Sequence, residues 1–265
     1  MRKLISGVVA ALLLAGMPAL ALAEAAGSAK GVKPAADAER DGTIETLVVG
    51  SDIFIGDLVE TGPKGQVQIL FADNTELVVG PHSSLKVEDY LIRNDGSAGR
   101  LVVNMLAGSF RFATGDSAKN RYELNTPTGT IGVRGTGFDS FIDRLDGTTR
   151  ILHYHGIVHF CSLSNVCEDL SELCTLGEFD SGDARVVGDT RTIKGDARAQ
   201  LKGEFIYAGN QGPLLRQFWM ANSYDCLHNP PAGPLIEDSG TDDSGPGKPP
   251  PTPTPRPPPP IIIIP

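Results

Sequence analysis

Hydrophobic and polar residues alternate through the middle of the chain, from Thr43 to about Tyr207, in short runs of about 5–8 residues. Gly, Asp, Asn and Pro separate the runs, and a period of two between such residues is typical of β-strands. The clearest runs are Gly42-Thr-Ile-Glu-Thr-Leu-Val-Val, Gln66-Val-Gln-Ile-Leu-Phe, Thr75-Glu-Leu-Val-Val, Ser84-Leu-Lys-Val-Glu, Gly99-Arg-Leu-Val-Val-Asn-Met-Leu and Thr149-Arg-Ile-Leu-His-Tyr-His. Because long helical periods are missing between them, the pattern predicts an all-β fold and excludes a doubly wound α/β enzyme.

Two segments near the C-terminal end of this region depart from the strand pattern. We predict one short helix at Cys167-Glu-Asp-Leu-Ser-Glu-Leu-Cys174 and another near Leu214 to Ser223. Asp73-Asn74 and Asn94-Asp95-Gly96 favour tight turns, so they mark connections between strands.

The first 23 residues have the order of a secretory signal peptide. Arg2 and Lys3 precede an apolar stretch from Leu4 to Leu22, and Ala21-Leu22-Ala23 gives a cleavage site after Ala23. We therefore expect a periplasmic or secreted protein with no membrane span once the signal is removed. The alternative is an uncleaved anchor, which Gly16 and Pro18 disfavour. Residues 24–42 are small, polar and charged, and we interpret them as a linker.

Export changes the interpretation of the four cysteines, Cys161, Cys167, Cys174 and Cys226. In an oxidising compartment two disulfides are expected, with three possible connectivities. The spacings are too wide for a structural zinc site. We favour one local bridge within residues 161–174 and one bridge from that segment to Cys226.

Composition and charge narrow the function further. Lys and Arg number 23 against 32 Asp and Glu, a formal charge of −9, and removal of the signal makes it −11 because it takes away two basic residues and no acidic ones. An acidic protein is a poor nucleic-acid binder.

Fourteen of the 20 prolines lie from Pro230 onward, and residues 229–265 are predicted to be a disordered, Pro-rich tail that acts as a spacer or a docking segment.

Several motifs, in their order along the chain, resemble the FecR domain family. The resemblance begins at Ile55-Gly-Asp-Leu-Val-Glu-Thr-Gly62 and continues through Gly65 to Leu77, Leu106-Ala-Gly-Ser-Phe110 and Gly156-Ile-Val158. Its sharpest part is Asn125-Thr-Pro-Thr-Gly-Thr-Ile-Gly-Val-Arg-Gly-Thr-Gly-Phe138, which carries the family residues Thr126, Pro127, Arg134, Gly135, Thr136 and Phe138.

The resemblance implies short twisted strands in a solenoid-like or roll arrangement outside the cytoplasm. It assigns residues 43–160 to a FecR-like β domain, followed by a disulfide-linked extension at 161–228. The best-known members are membrane-spanning anti-sigma regulators, whereas this chain begins with a cleavable-looking signal. We therefore expect a stand-alone secreted member of the family.

Arg134 and three histidines are the candidate binding residues. A guanidinium can clamp a carboxylate, although an internal ion pair that holds neighbouring strands is the commoner role. His153, His155 and His159 alternate on one strand, on the side opposite Leu152, Tyr154, Val158 and Phe160, and are weak candidates for a metal site. The alternative is three solvent-facing histidines.

No assembled nucleophile, base and oxyanion set is recognisable in the sequence, and no cofactor is implied. The leading hypothesis is therefore an exported, non-catalytic binding, scaffold or sensing module whose partner is an envelope protein or a glycan. One alternative is a signalling component that acts with a separate membrane regulator. A second is a polysaccharide-acting enzyme that would use acid pairs such as Asp52 with Asp57 or Asp139 with Asp143.

Overall fold

A computed structural model describes residues 25–92, 98–116 and 121–228. The predicted signal peptide and the predicted Pro-rich tail lie outside these residues. The chain divides into two units, Met1–Pro231 and Ala232–Pro265, and the second lies wholly outside the described residues. The account below therefore concerns the first unit.

The strands of the described chain join into one large sheet, so the predicted all-β fold is confirmed. They are β1 (Gly27–Lys33), β2 (Ala36–Arg40), β3 (Thr43–Thr46), β4 (Asp52–Ile53), β5 (Leu58–Thr61), β6 (Gln66–Phe71), β7 (Glu76–Val79), β8 (Ser84–Ile92), β9 (Ala98–Ala113), β10 (Tyr122–Thr126), β11 (Gly129–Ile142), β12 (Thr149–Ser162), β13 (Cys167–Leu170), β14 (Thr175–Phe179) and β15 (Ala184–Asp189).

The path through the sheet runs β15-β14-β12-β11-β10-β9-β7-β6-β1-β4, with the remaining strands paired beside it. The long strand β9 changes neighbours along its length. Its first part pairs with β8 and, in parallel, with β10, whereas Gly108–Ala113 pairs with β11. The inner face of the bent sheet encloses the main core, to which Val67, Ile69 and Phe71 of β6 contribute. The predicted turn at Asp73-Asn74 joins β6 to β7, and Asn74 has the left-handed φ of 63° that Asn tolerates well.

The last described segment, residues 190–228, packs on the outer face of the sheet and is here called the clasp. It contains the 3-10 turns η1 (Thr190–Thr192) and η2 (Arg216–Phe218) and the helices α1 (Gly195–Glu204), α2 (Ile206–Gly209) and α3 (Ser223–His228). Leu201 and Phe205 of the clasp form a second core with Leu152 and Tyr154 of β12. The clasp thus covers part of the outer face of the sheet.

The prediction that residues 24–42 form a linker is wrong where the structure describes them. Strand β1 pairs with β6, and β2 pairs with β3 and β5. The buried positions in these strands are Ala29, Gly31, Ala36 and Ala38, so they lack the large side chains that mark a strand. Such small residues permit close packing, and a Cβ on Gly27 would lie 2.7 Å from the carbonyl oxygen of Leu70.

The helix predictions near the C-terminal end are partly wrong. Residues 167–170 form β13, which pairs with β12. Cys167 lies directly opposite Cys161 in this pairing, and the two residues form a disulfide. Cys174 then adopts a left-handed φ of 65°, which no helix contains. Short helices near the C-terminal end are confirmed, but the segment near Leu214 to Ser223 holds the turn η2 and only the first residue of α3. Helix α1 was not predicted because few of its residues are buried.

Candidate binding site

Two glycines opposite each other interrupt strands β11 and β12. Gly135 and Gly156 have φ angles of 61° and 82°, and the pairing register shifts between Arg134 and Gly137. A Cβ on Gly156 would collide with the carbonyl oxygen of Gly135. These two family-motif positions therefore need glycine both for the backbone angle and for the close approach of the strands.

This irregularity reverses which side chains face the core. In β11, Ile131 and Val133 enter the main core before it, and Phe138 enters after it, so the alternation shifts by one residue. In β12, Tyr154 packs under the clasp whereas Val158 enters the main core. The outer face of the sheet is thereby divided into a part covered by the clasp and a part open to solvent.

The family-motif residues lie in three different environments. Thr126 and Pro127 lie in the tight turn between β10 and β11, where the Thr126 hydroxyl donates to the carbonyl oxygen of Gly129 at 3.4 Å. Thr136 and Phe138 are buried. Arg134 alone projects from the open part of the sheet into solvent.

Three arginines lie side by side across neighbouring strands on this open face. The Leu101 amide donates to the Arg121 carbonyl oxygen at 2.8 Å, which places Arg121 beside Arg100 of β9. Glu123 pairs with Gly132, so the same antiparallel register continued by two residues places Arg121 beside Arg134. The sequence separates these three side chains by up to 34 positions and gives no sign that they form a row.

The three arginines differ in their partners. Arg100 forms ion pairs with Asp89 at 3.6 Å and Glu123 at 3.3 Å. The Nε of Arg121 is buried and has no hydrogen-bond partner within the described chain. Arg134 forms no ion pair or side-chain hydrogen bond with any described residue, so the internal ion pair considered for it is not observed there. Within the described chain, the exposed Arg134 guanidinium therefore keeps its donors available for a ligand, and the buried Arg121 Nε lacks a partner.

Two adjoining depressions lie beside the arginine row. One, of about 330 Å³, is lined by Arg100, Arg121 and Glu123, and the other, of about 450 Å³, by Arg134 and Ile157. Both include Tyr122, Gly132 and His159 in their walls. Gly132 lies between Glu123 and His159 in the register, so its missing side chain leaves a gap in the row. We call this surface the arginine depression.

The structure does not bring the three histidines together. His153 is buried, and its ring nitrogens lie 2.8 Å from the Glu172 carbonyl oxygen and 3.1 Å from that of Gly156. His155 and His159 are exposed, and His159 contacts Asp169 at 2.7 Å. The expected face was wrong for His153 because the irregularity at Gly156 shifts the alternation and Ile151 beside it enters the main core.

Both predicted disulfides are present, Cys161–Cys167 and Cys174–Cys226. The first is the local bridge and the second ties the clasp to the sheet. Within the described residues, the group spaced for a metal ion is His159, Cys161 and Cys167. Its two sulfur atoms are bonded to each other, so in this oxidised form they are not free to act as thiolate ligands.

A buried ion pair under the clasp was missed by sequence reasoning. Arg111 Nε donates to Asp139 Oδ1 at 2.6 Å, the Tyr154 hydroxyl donates to Asp139 Oδ2 at 2.7 Å, and Arg111 also donates to Gln211 of the clasp. Burial by itself would lower the pKa of Arg111, but Asp139 raises it above its ordinary value, and burial raises the pKa of Tyr154. One acid of each catalytic pair considered above, Asp57 in the first and Asp139 in the second, thus forms an ion pair with arginine.

Comparison with known proteins finds a family match for the middle of this sheet. Residues 57–159 match the model of the FecR protein family. The segment 57–159 is therefore similar to a FecR domain. No curated protein sequence shows significant similarity to it. Within the described residues, no helix is both long and apolar enough to span a membrane.

Two crystal structures, each described as a "putative anti-sigma factor" from Parabacteroides distasonis, are similar to the chain. The first has a TM-score of 0.40 at 11% identity, and the alignment covers 49% of this chain and 57% of the crystallised chain. The second has a TM-score of 0.41 at 11% identity, and the alignment covers 58% of this chain and 64% of the crystallised chain. The chain therefore spans less than two thirds of either structure.

FecR domains are associated with signalling in the cell envelope, so the family match supports a signalling or sensing role. Two disulfides fit an oxidising compartment.

Proposed function

We propose that this protein is an exported, non-catalytic FecR module that senses a carboxylate-bearing ligand in the cell envelope through the arginine depression. The observation that carries the proposal is Arg134, a family-motif residue that is exposed and makes no polar contact with a described residue. A guanidinium presents a planar fork of donors that matches a carboxylate.

The electrostatic setting supports an anionic ligand. The chain has a formal charge of −9, yet Arg100, Arg121 and Arg134 meet at one place, where Arg100 is the one of the three that forms ion pairs with described acids. Local positive charge on an acidic protein directs anions to that place and repels them from the rest of the surface. Ile157, which is 41% exposed, adds an apolar contact at the rim.

Support for a binding role rather than catalysis comes from the acids. Asp139 contacts Arg111, Asp57 contacts Arg40 at 3.1 Å, and neither acid lines the arginine depression. A hydrolase that acts on polysaccharide needs two carboxyl groups facing one substrate bond.

Export is proposed from the signal-like residues 1–23 and from the two disulfides. The Pro-rich residues 229–265 would then serve as a spacer in the envelope. The alternative is a signalling component that acts with a separate membrane regulator. It would bind the same ligand at the arginine depression, and the FecR match favours it.

The proposal is tested by titrating the purified mature protein with polygalacturonate, poly-glutamate and the neutral methyl ester of polygalacturonate. We expect binding of at least one acidic polymer and none of the ester. Arg134→Gln should weaken it about tenfold or more, since a charged hydrogen bond contributes about 1.5–3 kcal/mol.

Lys202→Gln is the matched control, because Lys202 is an exposed cation on α1, outside the depression. Equal losses in the two variants would indicate non-specific attraction and would refute the proposed site. Binding to the polygalacturonate but not to poly-glutamate would identify a glycan as the ligand, and the reverse would identify a protein.

A further inference from the structure

The two disulfides differ sharply in their access to solvent. Cys174 and Cys226 are both fully buried between the sheet and the clasp. Cys167 is exposed and Cys161 is partly exposed, at directly opposite positions of β12 and β13. The first three residues of β13 face solvent, and Leu170 anchors the strand in the main core. A reagent can therefore reach the Cys161–Cys167 bond without unfolding the protein.

An acid–base pair lies against this exposed bond. His159 Nε2 lies 3.3 Å from Cys161 Sγ, and His159 Nδ1 lies 2.7 Å from Asp169 Oδ1. In the tautomer with its proton on Nδ1, His159 donates to Asp169 and presents Nε2 to the sulfur. The order carboxylate, imidazole, sulfur is the arrangement that stabilises a thiolate, because an imidazolium next to sulfur favours its ionised form.

We propose that Cys161–Cys167 is a thiol–disulfide exchange site, in which His159 assists the departure of Cys161 and a dithiol is the reductant. This inference goes beyond the proposed ligand-binding function and does not depend on it. It assigns a redox role to one of the two disulfides and a structural role to the other.

The exchange balances as a two-electron, two-proton transfer. His159 Nε2 takes the proton of one thiol of the reductant, the resulting thiolate attacks the more exposed Cys167 Sγ, a mixed disulfide forms, and the bond between the two protein sulfurs breaks. Cys161 leaves as a thiolate and takes that proton from the imidazolium. The second thiol of the reductant then gives its proton to His159 Nε2 and attacks the reductant's own sulfur, which releases Cys167 as a thiolate that takes up this second proton. The dithiol is oxidised to a disulfide, and both cysteines are reduced.

The surroundings of the site favour an anionic attacker. His159 lines both parts of the arginine depression, together with Arg121 and Arg134. These cations attract an approaching thiolate, while Asp169 is occupied by His159. Three further register pairs join β12 to β13 besides Cys161 and Cys167, so we expect the strand pairing to survive reduction of this bond.

The test follows the reduction of the native, oxidised protein by dithiothreitol, with samples alkylated over time and peptides assigned by mass spectrometry. We expect Cys161 and Cys167 to be labelled at least about tenfold faster than Cys174 and Cys226. His159→Asn should slow the first reaction about tenfold or more, since a positioned acid–base group typically contributes about 10²–10⁴-fold. His155→Asn, an exposed histidine four residues earlier on the same strand, should leave it unchanged.

Asp169→Asn provides a second variant that keeps the histidine but removes its orienting charge. It should slow the exchange less than His159→Asn, while circular dichroism and the labelling of Cys174 and Cys226 remain as in the parent. Equal reduction rates for the two disulfides would overturn the proposal. So would a rate that neither His159→Asn nor Asp169→Asn changes in folded protein.

Discussion

Arg111 shows how one buried cation connects the sheet to the clasp. It lies on β9 between Phe110 and Phe112, whose side chains enter the main core, so its own side chain points to the outer face. There it contacts Asp139 of β11 and Gln211 of the clasp. Gln211 in turn accepts a hydrogen bond from the Met220 amide at 2.6 Å, which extends the network to the end of the clasp.

Loss of this cation should be costly. Arg111→Met leaves the Asp139 carboxylate buried without its counter-charge, and breaking a buried pair in this way costs about 3–5 kcal/mol. We expect that decrease in the free energy of unfolding, measured by urea denaturation. Arg185→Met is the matched control, since Arg185 is 64% exposed in its pair with Glu178 and should lose about 1 kcal/mol or less. Similar losses in the two variants would contradict the role assigned to Arg111.

The sequence predicts some of these residues and not others, for a physical reason. Gly135 could be recognised as a site of irregular backbone, because a glycine inside a strand usually marks a bulge or a close approach of another backbone. The outward direction of Arg111 follows from the alternation of its strand. Its burial does not, because the clasp that covers it comes from about a hundred residues later in the chain.

At the scale of elements, the clasp is the part of the fold that depends most on a covalent bond. The longest helix in it, α1, buries only Leu201 and Glu204, and α2 and α3 have four and six residues. Isolated helices of this length are marginal in water. The Cys174–Cys226 bond and contacts to β6, such as Leu215 amide to Gln68 at 2.7 Å, therefore hold the segment in place.

Removal of the two disulfides should have unequal effects on stability. The Cys174–Cys226 bond closes a separation of 52 residues, and Cys161–Cys167 closes only 6. Chain entropy alone then predicts losses of about 4 and about 2 kcal/mol for the paired alanine variants. Urea unfolding of Cys174→Ala/Cys226→Ala and of Cys161→Ala/Cys167→Ala measures the difference. An equal loss, or a larger one for the 6-residue bridge, would count against the structural role of the long bridge.

The elements that were predicted correctly are those with large side chains on one face. Strand β6 has Val67, Ile69 and Phe71 in the main core, and its period of two is evident. Strands β1 and β2 bury alanines instead, so their pattern resembles that of a linker. The segment 167–174 resembles a helix because Cys167, Leu170 and Cys174 have helical spacing. Its first four residues form a strand instead, because they pair antiparallel with β12.

For the whole molecule, the contacts of the described chain begin just after the predicted cleavage site. The Ala26 amide donates to the Ile53 carbonyl oxygen at 2.8 Å, and the Ala26 carbonyl oxygen accepts from the Ala72 amide at 3.1 Å. Strand β1 starts at Gly27. Cleavage after Ala23 would therefore leave every pairing of the sheet in place, and an exported protein could fold fully after processing.

Processing is tested by expressing the full chain and determining the N-terminus and the intact mass of the protein from the envelope fraction. We expect a first residue of Glu24 and four oxidised cysteines. Ala23→Phe should block cleavage, because the position before the cut accepts only small residues, whereas Leu22→Phe should be processed normally. Recovery of an unprocessed parent chain with free thiols from the cytoplasmic fraction would contradict both the export proposal and the compartment that the disulfides require.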